Sequence, residues 1–277
     1  MARKRRKRGQ RRTLLVVALV GGLAAGAGLF VGGALAARDA AVDDEAIVVP
    51  TTSTTAAPTT TTSTTIAPTT TTTAPAAADG TLEPGERGVE IGALQARLAD
   101  LGYWLGNPDD TYGQLTRQAV MAFQKVQGLS RDGVAGPATL AALETATRPL
   151  PRDPSGSHIE IDLERQILLV VQDGQLRWVL NTSTGNGEAY AAPGGGTAVA
   201  TTPRGTFTVE REIDGLREAP LGTLYRPKYF HGGIAIHGAG QIPAQPASHG
   251  CARVTNAAMD LLWSSGATTL GTPVVVY

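Results

Sequence analysis

Apolar positions change their period three times along this chain. Residues 13–37 (TLLVVALVGGLAAGAGLFVGGALAA) form an uncharged run of 25 positions. As a helix rising ~1.5 Å per residue it reaches ~37 Å, longer than a ~30 Å hydrocarbon core, so it predicts one transmembrane helix. From 38 to 81 no period holds: Thr fills 15 of the 23 positions from Thr51 to Thr73, and Pro50, Pro58, Pro68 and Pro75 punctuate the tract. Such a segment buries no core and predicts a disordered, extended Thr/Pro-rich linker that spans at most roughly 120 Å.

Residues 82–146 return to helical spacing. Val89 or Ile91, Leu94, Leu98 and Leu101 form one stripe ending at Gly102; Ala119, Val120, Phe123 and Val126 form a second, with Thr116 as expected N-cap and Gly128 as stop; a third runs from Pro137 to Leu143. Three short helices around one core are predicted. Two turn-and-cap phrases between them, from Asp109 to Thr116 and from Asp132 to Thr139, each place an Asp seven residues before a Thr. Turn shaping is the plain reading of both; the pair Tyr103 and Trp104 is the expected exposed aromatic surface for a glycan, with core packing of either as the alternative.

From 156 to 277 the pattern becomes period two. Strands are predicted at 158–163, 166–171, 176–180, 205–210, 234–237 and 273–277, with a hairpin turn at Asp173-Gly174 and one helix after Thr255 covering 256–263. The glycine-dense stretch 185–205 reads as a mobile loop, without the Lys-Ser/Thr of a phosphate cradle. A mostly-β domain with one helix suggests a sandwich or rolled barrel.

Charge sharpens the organisation. The 24 basic and 24 acidic residues cancel, yet Arg3, Lys4, Arg5, Arg6, Lys7, Arg8, Arg11 and Arg12 all precede the apolar run. The remainder carries 16 − 24 = −8, which argues against a nucleic-acid partner and makes the basic cluster a topology signal. Residues 1–12 are then cytoplasmic, 13–37 a single-pass signal anchor in the cell membrane, and the rest lies outside. Cleavage near Ala36, giving a secreted protein, is the alternative.

Chemistry concentrates between Ile236 and Val254. Cys251, the one cysteine of the sequence, follows Ser248-His249-Gly250 and stands fourteen residues after His237, which ends a strand. A thiol that attacks a carbonyl needs a base to take its proton and a group to orient that base. Arg253 is placed to bind a carboxylate or favour a thiolate, and backbone N–H groups around Gly250 and Cys251 to form an oxyanion hole. A zinc peptidase using His237, His249 and Cys251 is disfavoured, because the helical His-x-x-x-His spacing is missing.

LQARLADLGYW, TYGQLTRQAVMAFQKVQGL and RDGVAGPATLAAL together resemble the helical peptidoglycan-binding domain of bacterial cell-wall enzymes, with Asp110 where that family generally has Gly. The phrases IEIDLERQILLVVQDGQL, NTSTGNG and TTPRGTFTV, then His237-Gly238 and SHGCAR, are similar to the L,D-transpeptidase catalytic domain. Ala252 and a short spacer depart from its pattern, so a reduced lid is expected. The resemblance implies Cys251 as nucleophile, His237 as general base and the Gly238 carbonyl as its orienter. It makes Ser248, His249, Gly250 and Arg253 site-shaping or substrate-contacting, sets Tyr229 or Phe230 on the acyl-donor groove, and leaves His158 and His231 structural. It further implies 3→3 cross-linking of tetrapeptide stems without metal or organic cofactor, peptidoglycan as partner, and carbapenem-type β-lactams as covalent inhibitors. A catalytically silent wall-binding anchor and an L,D-carboxypeptidase hydrolysing the same thioester remain alternatives.

Overall fold

A computed structural model describes residues 80–277; the basic segment, the apolar run at 13–37 and the linker through residue 79 lie outside the described residues. Among the described residues no helix is long and apolar enough to cross a membrane. The elements run α1 (Val89–Asp100), α2 (Gln114–Gln127), α3 (Pro137–Thr145), β1 (His158–Asp162), β2 (Ile167–Gln172), β3 (Gln175–Asn181), β4 (Ala189–Ala191), β5 (Thr197–Val199), β6 (Gly205–Thr208), β7 (Arg211–Glu212), β8 (Leu216–Ala219), β9 (Gly222–His231), β10 (Ile234–Ala239), β11 (Ala252–Thr255), α4 (Asn256–Ser264) and β12 (Pro273–Val276).

Each turn-and-cap phrase closes on a buried glutamine. The Gln95 side-chain amide donates to Asp109 Oδ1 (2.9 Å), the Thr111 carbonyl (3.0 Å) and Thr116 Oγ1 (2.9 Å), and its carbonyl accepts from the backbone N–H groups of Asp109 and Asp110. Gln124 repeats the arrangement with Asp132 Oδ1 (2.7 Å), the Val134 carbonyl (2.9 Å), Thr139 Oγ1 (3.1 Å) and the N–H of Gly133. Buried amides with every hydrogen-bonding group satisfied stabilise a turn without an apolar core of its own. Two expectations are thereby corrected. Thr116 is not the cap of α2, which begins at Gln114 with Gly113 as N-cap, because its hydroxyl is turned inward to Gln95. Tyr103 is not exposed: it is 1% accessible and packs edge-on against Phe123 at 5.4 Å, with Trp104 half-buried beside it. Asp110 takes φ +56°, the left-handed turn that its position demands.

The β region forms two facing sheets, β3-β2-β1-β12-β6 and β11-β10-β9-β7, the latter with β8 also paired to β9. β1 with β12 and β10 with β11 are parallel pairs. Ile159, Ile161, Leu168, Val170, Val274 and Val276 of the first sheet meet Phe230, Ile236 and Val254 of the second, and Met259 and Leu262 of α4 close that core. The stretch expected to be a mobile loop instead contains the β4–β5 hairpin, whose short strands alternate too little for the pattern to declare them.

The apolar run Ile167-Leu168-Leu169-Val170 has no polar face because both faces are covered. Leu168 and Val170 enter the inter-sheet core, while Ile167 and Leu169, with Leu176 and Val179 of β3, pack into the core of the helices. Gln114, Gln118, Met121 and Lys125 of α2 recur at helical spacing, and this stripe is the docking face. Lys125, 1% accessible, donates from Nζ to the carbonyls of Gln166 (2.9 Å) and Thr182 (3.0 Å) and to Asn181 Oδ1. Asn181 Nδ2 in turn donates to Gln118 Oε1 (2.6 Å) and the Ile242 carbonyl (3.3 Å), and Gln114 Nε2 reaches the Gly240 carbonyl (3.2 Å).

Burial, with a smaller contribution from the charge of Arg131, pulls the Lys125 pKa down from 10.5 to about 7. Lys125→Met removes a donor from three buried oxygens, of which only the Gln166 carbonyl keeps another in the Thr182 N–H (3.2 Å), and is expected to destabilise the protein by about 2–4 kcal/mol, read by chemical denaturation. The unfolded wild-type chain holds a proton that the folded protein has shed between pH 7 and 10.5. Wild-type stability therefore rises across that window and the deficit of the variant widens.

Candidate active site

β10 and β11 run in parallel with His237 opposite Arg253 and Gly238 opposite Val254, so Cys251, just before β11, stands level with Ala235, and the two-residue alternation of both strands turns its side chain to the same face as that of His237. Both side chains line one cavity of about 590 Å³. The loop between them is stitched to the segment leaving β3. Ser183 and Arg253 exchange backbone hydrogen bonds (3.0 and 3.3 Å), and the Thr184 carbonyl accepts from the N–H groups of Ala247 (3.0 Å) and Ser248 (2.9 Å). Thr182 Oγ1 donates to the Arg253 carbonyl (2.8 Å). Thr182 is also the residue whose carbonyl holds Lys125, so α2 supports the cysteine loop at one remove.

Ser248 shapes the turn itself. Its hydroxyl donates to the Cys251 carbonyl (2.6 Å) and accepts from the Gly250 N–H (3.0 Å). This corrects one expectation: the Gly250 N–H is engaged inside the turn and is not free to hold an oxyanion. Gly250 has φ +136°, and a Cβ there would meet the Thr201 carbonyl oxygen at 2.9 Å, so glycine is required on both counts. Thr202 Oγ1 donates to its carbonyl at 2.6 Å.

Cys251 Sγ accepts from the Ala235 N–H at 3.4 Å, lies 3.9 Å from the Gly233 carbonyl and rests against Leu224, Tyr229 and Ala235. Burial raises its pKa, outweighing the lowering by that N–H and by the charge of Arg253. His237 is 6% accessible, and its Nδ1 lies 2.9 Å from the Gly238 carbonyl, to which only an N–H can donate; Nε2 is then the unprotonated nitrogen. Burial first, and the Arg253 charge last, bring its pKa to about 4 against the partial offset of the Gly238 bond. Both groups are therefore neutral at pH 7. Gly238 admits no side chain, since a Cβ would stand 2.6 Å from Asn256 Oδ1 and 2.8 Å from Tyr225 Cδ1.

The remaining expected residues divide. His249 is exposed on the cavity wall, edge-on to Tyr190 of the β4–β5 hairpin at 4.7 Å. Arg253 lines the cavity and donates from Nη1 to the Ala247 carbonyl (3.2 Å). Tyr229 lines it as well, under the guanidinium of Arg211, whereas Phe230 points into the inter-sheet core. His158 is buried against Glu160 at 3.1 Å, and His231 stacks on Phe207, both away from the cavity lining. Among the described residues no group of three or more His, Cys, Asp or Glu is arranged to hold a metal ion, so His237, His249 and Cys251 form no such set. The supporting residues Thr182, Thr184, Lys125 and Arg211 were missed from sequence; the polar run NTSTG directly after an apolar strand was the available signal for the first two.

A half-buried thiol and an oriented imidazole thus line one open cavity. A family model of the L,D-transpeptidase catalytic domain matches residues 156–276, and one of a peptidoglycan binding domain matches residues 87–143. The crystal structure of the L,D-transpeptidase from Xylanimonas cellulosilytica is 53% identical, with a TM-score of 0.68 over 70% of this chain and 96% of that one. This chain belongs to the L,D-transpeptidase family and carries a peptidoglycan-binding domain before the catalytic one. It is also 45% identical over 56 residues to the N-acetylmuramoyl-L-alanine amidase CwlM of Mycobacterium tuberculosis, a match covering 20% of this chain and 14% of that protein. Similarity to the amidase CwlL of Bacillus licheniformis, 44% over 64 residues, covers 22% and 18%. The chain thus spans less than a fifth of either amidase.

Because the resting pair is neutral, alkylation of Cys251 by uncharged iodoacetamide is expected to accelerate continuously with pH, its midpoint above the ordinary thiol value of 9.0. A preformed thiolate–imidazolium pair would instead give a plateau from about pH 5 to 8. A stopped-time alkylation series read by mass spectrometry separates the two.

Proposed function

We propose that this protein is a cell-wall L,D-transpeptidase that forms 3→3 cross-links through a Cys251 thioester. The placement of Cys251 and His237 on one cavity wall, with Nδ1 of the imidazole committed to the Gly238 carbonyl, carries the reading. As Sγ attacks the carbonyl carbon after the third residue of a tetrapeptide stem, its proton passes to Nε2 of His237. The carbon–nitrogen bond to the terminal D-alanine breaks, the leaving amine takes the proton from the imidazolium, and the acyl group remains as a thioester. An amine of a neighbouring stem then attacks that thioester, passes its proton through His237 to sulfur and restores the thiol. Water attacking in place of the amine gives the L,D-carboxypeptidase reaction.

The neutral resting pair suits this order, since sulfur loses its proton only as the bond forms. His237, with a pKa of about 4, is free to accept a proton at every pH above that value. A silent wall-binding anchor would have no use for a solvent-accessible cavity around an oriented base. In this reading the uncharged run at 13–37 anchors the chain in the cell membrane, or is removed near Ala36, and residues 38–81 tether the folded domains outside the cytoplasm. Peptidoglycan glycan and stems are the partners, and carbapenems acylate Cys251.

The test is incubation of the full chain with disaccharide-tetrapeptides, followed by mass spectrometry. The wild type is expected to give dimers lighter by one alanine per new bond, undiminished by a strong chelator. Cys251→Ala is expected to lose product formation by about 10³-fold or more while remaining folded. Turnover by that variant would exclude the mechanism.

A further inference from the structure

The cavity around Cys251 carries a one-signed charge that the thioester chemistry does not explain. Arg211, Arg217 and Arg253 line it, and among the described residues no Asp or Glu does. Two of the three guanidinium groups have protein acceptors: Arg253 Nη1 donates to the Ala247 carbonyl and Arg217 Nη1 to the Glu218 carbonyl at 2.6 Å. Arg211 differs. Among the described residues no carboxylate or carbonyl accepts from its side chain, and its guanidinium carbon sits 3.5 Å from the centroid of the Tyr229 ring.

The strand pairing explains how it is held. Arg211 stands directly opposite Tyr229 in the β7–β9 ladder, and Glu212 opposite Lys228. Alternation sends Arg211 to the cavity face and Glu212 to the other, where its carboxylate meets Lys228 Nζ at 2.7 Å. The neighbouring acid is thus engaged away from the cavity. Tyr229 is 4% accessible and fixed in the small core that also touches Cys251, so the guanidinium stacks on a rigid platform. A stacked guanidinium keeps its N–H donors in one plane at its edge, oriented for two parallel bonds to a carboxylate. Little further side-chain freedom is lost on binding.

We propose that Arg211 is a substrate-binding residue that receives an ionised carboxylate of the peptide stem. The assignment rests on the transpeptidase reading and narrows it: the preferred substrate is anionic at the position facing Arg211. Two carboxylates on an acyl-donor stem fit, the terminal carboxylate of the leaving D-alanine and a free side-chain carboxylate on the third residue. Amidation of the responsible one removes the charge and half of the acceptor pair.

The experiment measures calorimetric binding of three tetrapeptide stems to the full chain carrying Cys251→Ala, which removes the chemistry. One stem has both carboxylates free, one a C-terminal carboxamide and one a carboxamide on the third side chain. The same three are measured with Arg211→Gln and Arg211→Lys added. The expected result is that one amidated stem binds about 10-fold or more weakly than the free stem, and that Arg211→Gln abolishes this difference. Arg211→Lys is expected to restore part of it, as a charge without the planar fork. The stem that loses discrimination identifies the carboxylate.

Equal weakening of all three stems by Arg211→Gln, or no change in any, overturns the assignment. Transfer by the Cys251-bearing chain, followed in parallel, keeps the two readings apart. Intact transfer with no Arg211-dependent discrimination removes only the Arg211 role, whereas discrimination without transfer removes only the reaction. Failure of every stem to bind removes both.

Discussion

A buried lysine nitrogen in a cage of oxygens ties the two folded halves of this protein together. Lys125 leaves the last turn of α2 and ends on acceptors from two places in the β region, the start of β2 and the segment leaving β3. A buried polar group of this kind is tolerated only when its donors are satisfied, so the docking geometry has little latitude. The apolar contacts of Ile167, Leu169, Leu176 and Val179 supply area, each on the order of 1.5–3 kcal/mol when fully buried, but no register. Register comes from Lys125, Gln118 and Asn181, whose hydrogen bonds fix one residue against another.

That register reaches the reacting atoms through backbone. The segment 181–184, held from behind by Lys125, holds in front the strand that begins immediately after Cys251 and the turn immediately before it. Ser248, Gly250 and Thr202 then set the turn by short bonds and by a backbone angle that only glycine adopts without strain. Cys251 is thus placed by neighbours that hold the turn and the strand around it. Burial raises the pKa of its thiol and lowers that of the His237 imidazole.

That His237, Ser248, His249, Cys251 and Arg253 share one cavity was legible because they come from two short phrases, His237-Gly238 within β10 and Ser248 to Arg253, which stand in the sequence much as they stand in space. The helices and six of the strands were legible from period, and α4 began where Thr255 announced it, with its hydroxyl accepting from the Ala258 N–H. β9 was not, because Pro227, the left-handed Arg226 and two register shifts against β10 interrupt its alternation. Gln114, Gln118 and Lys125 gave no signal of their role, since polar side chains on a helix look alike whether they meet water or a carbonyl. Tyr103 was misplaced for the converse reason: an aromatic after a helix-terminating glycine carries no mark of which side the chain turns to. Gln95 and Gln124 gave no signal, although the Asp-to-Thr spacing they organise did.

The double coverage of β2 bears on how a wall-reading module and a bond-forming cavity cooperate. Modules on a slack string sample many orientations, and proximity is all they contribute. Here the sheet that forms one side of the β core has its reverse side covered by the helices, so the two halves share one continuous lining. If the proposed function holds, a murein strand seated on the helices would meet the cavity across this lining and not across a slack tether. Severing the helices would strip the sheet of its lining and expose grease to water, so the wall-reading part is also a structural organ of the enzyme.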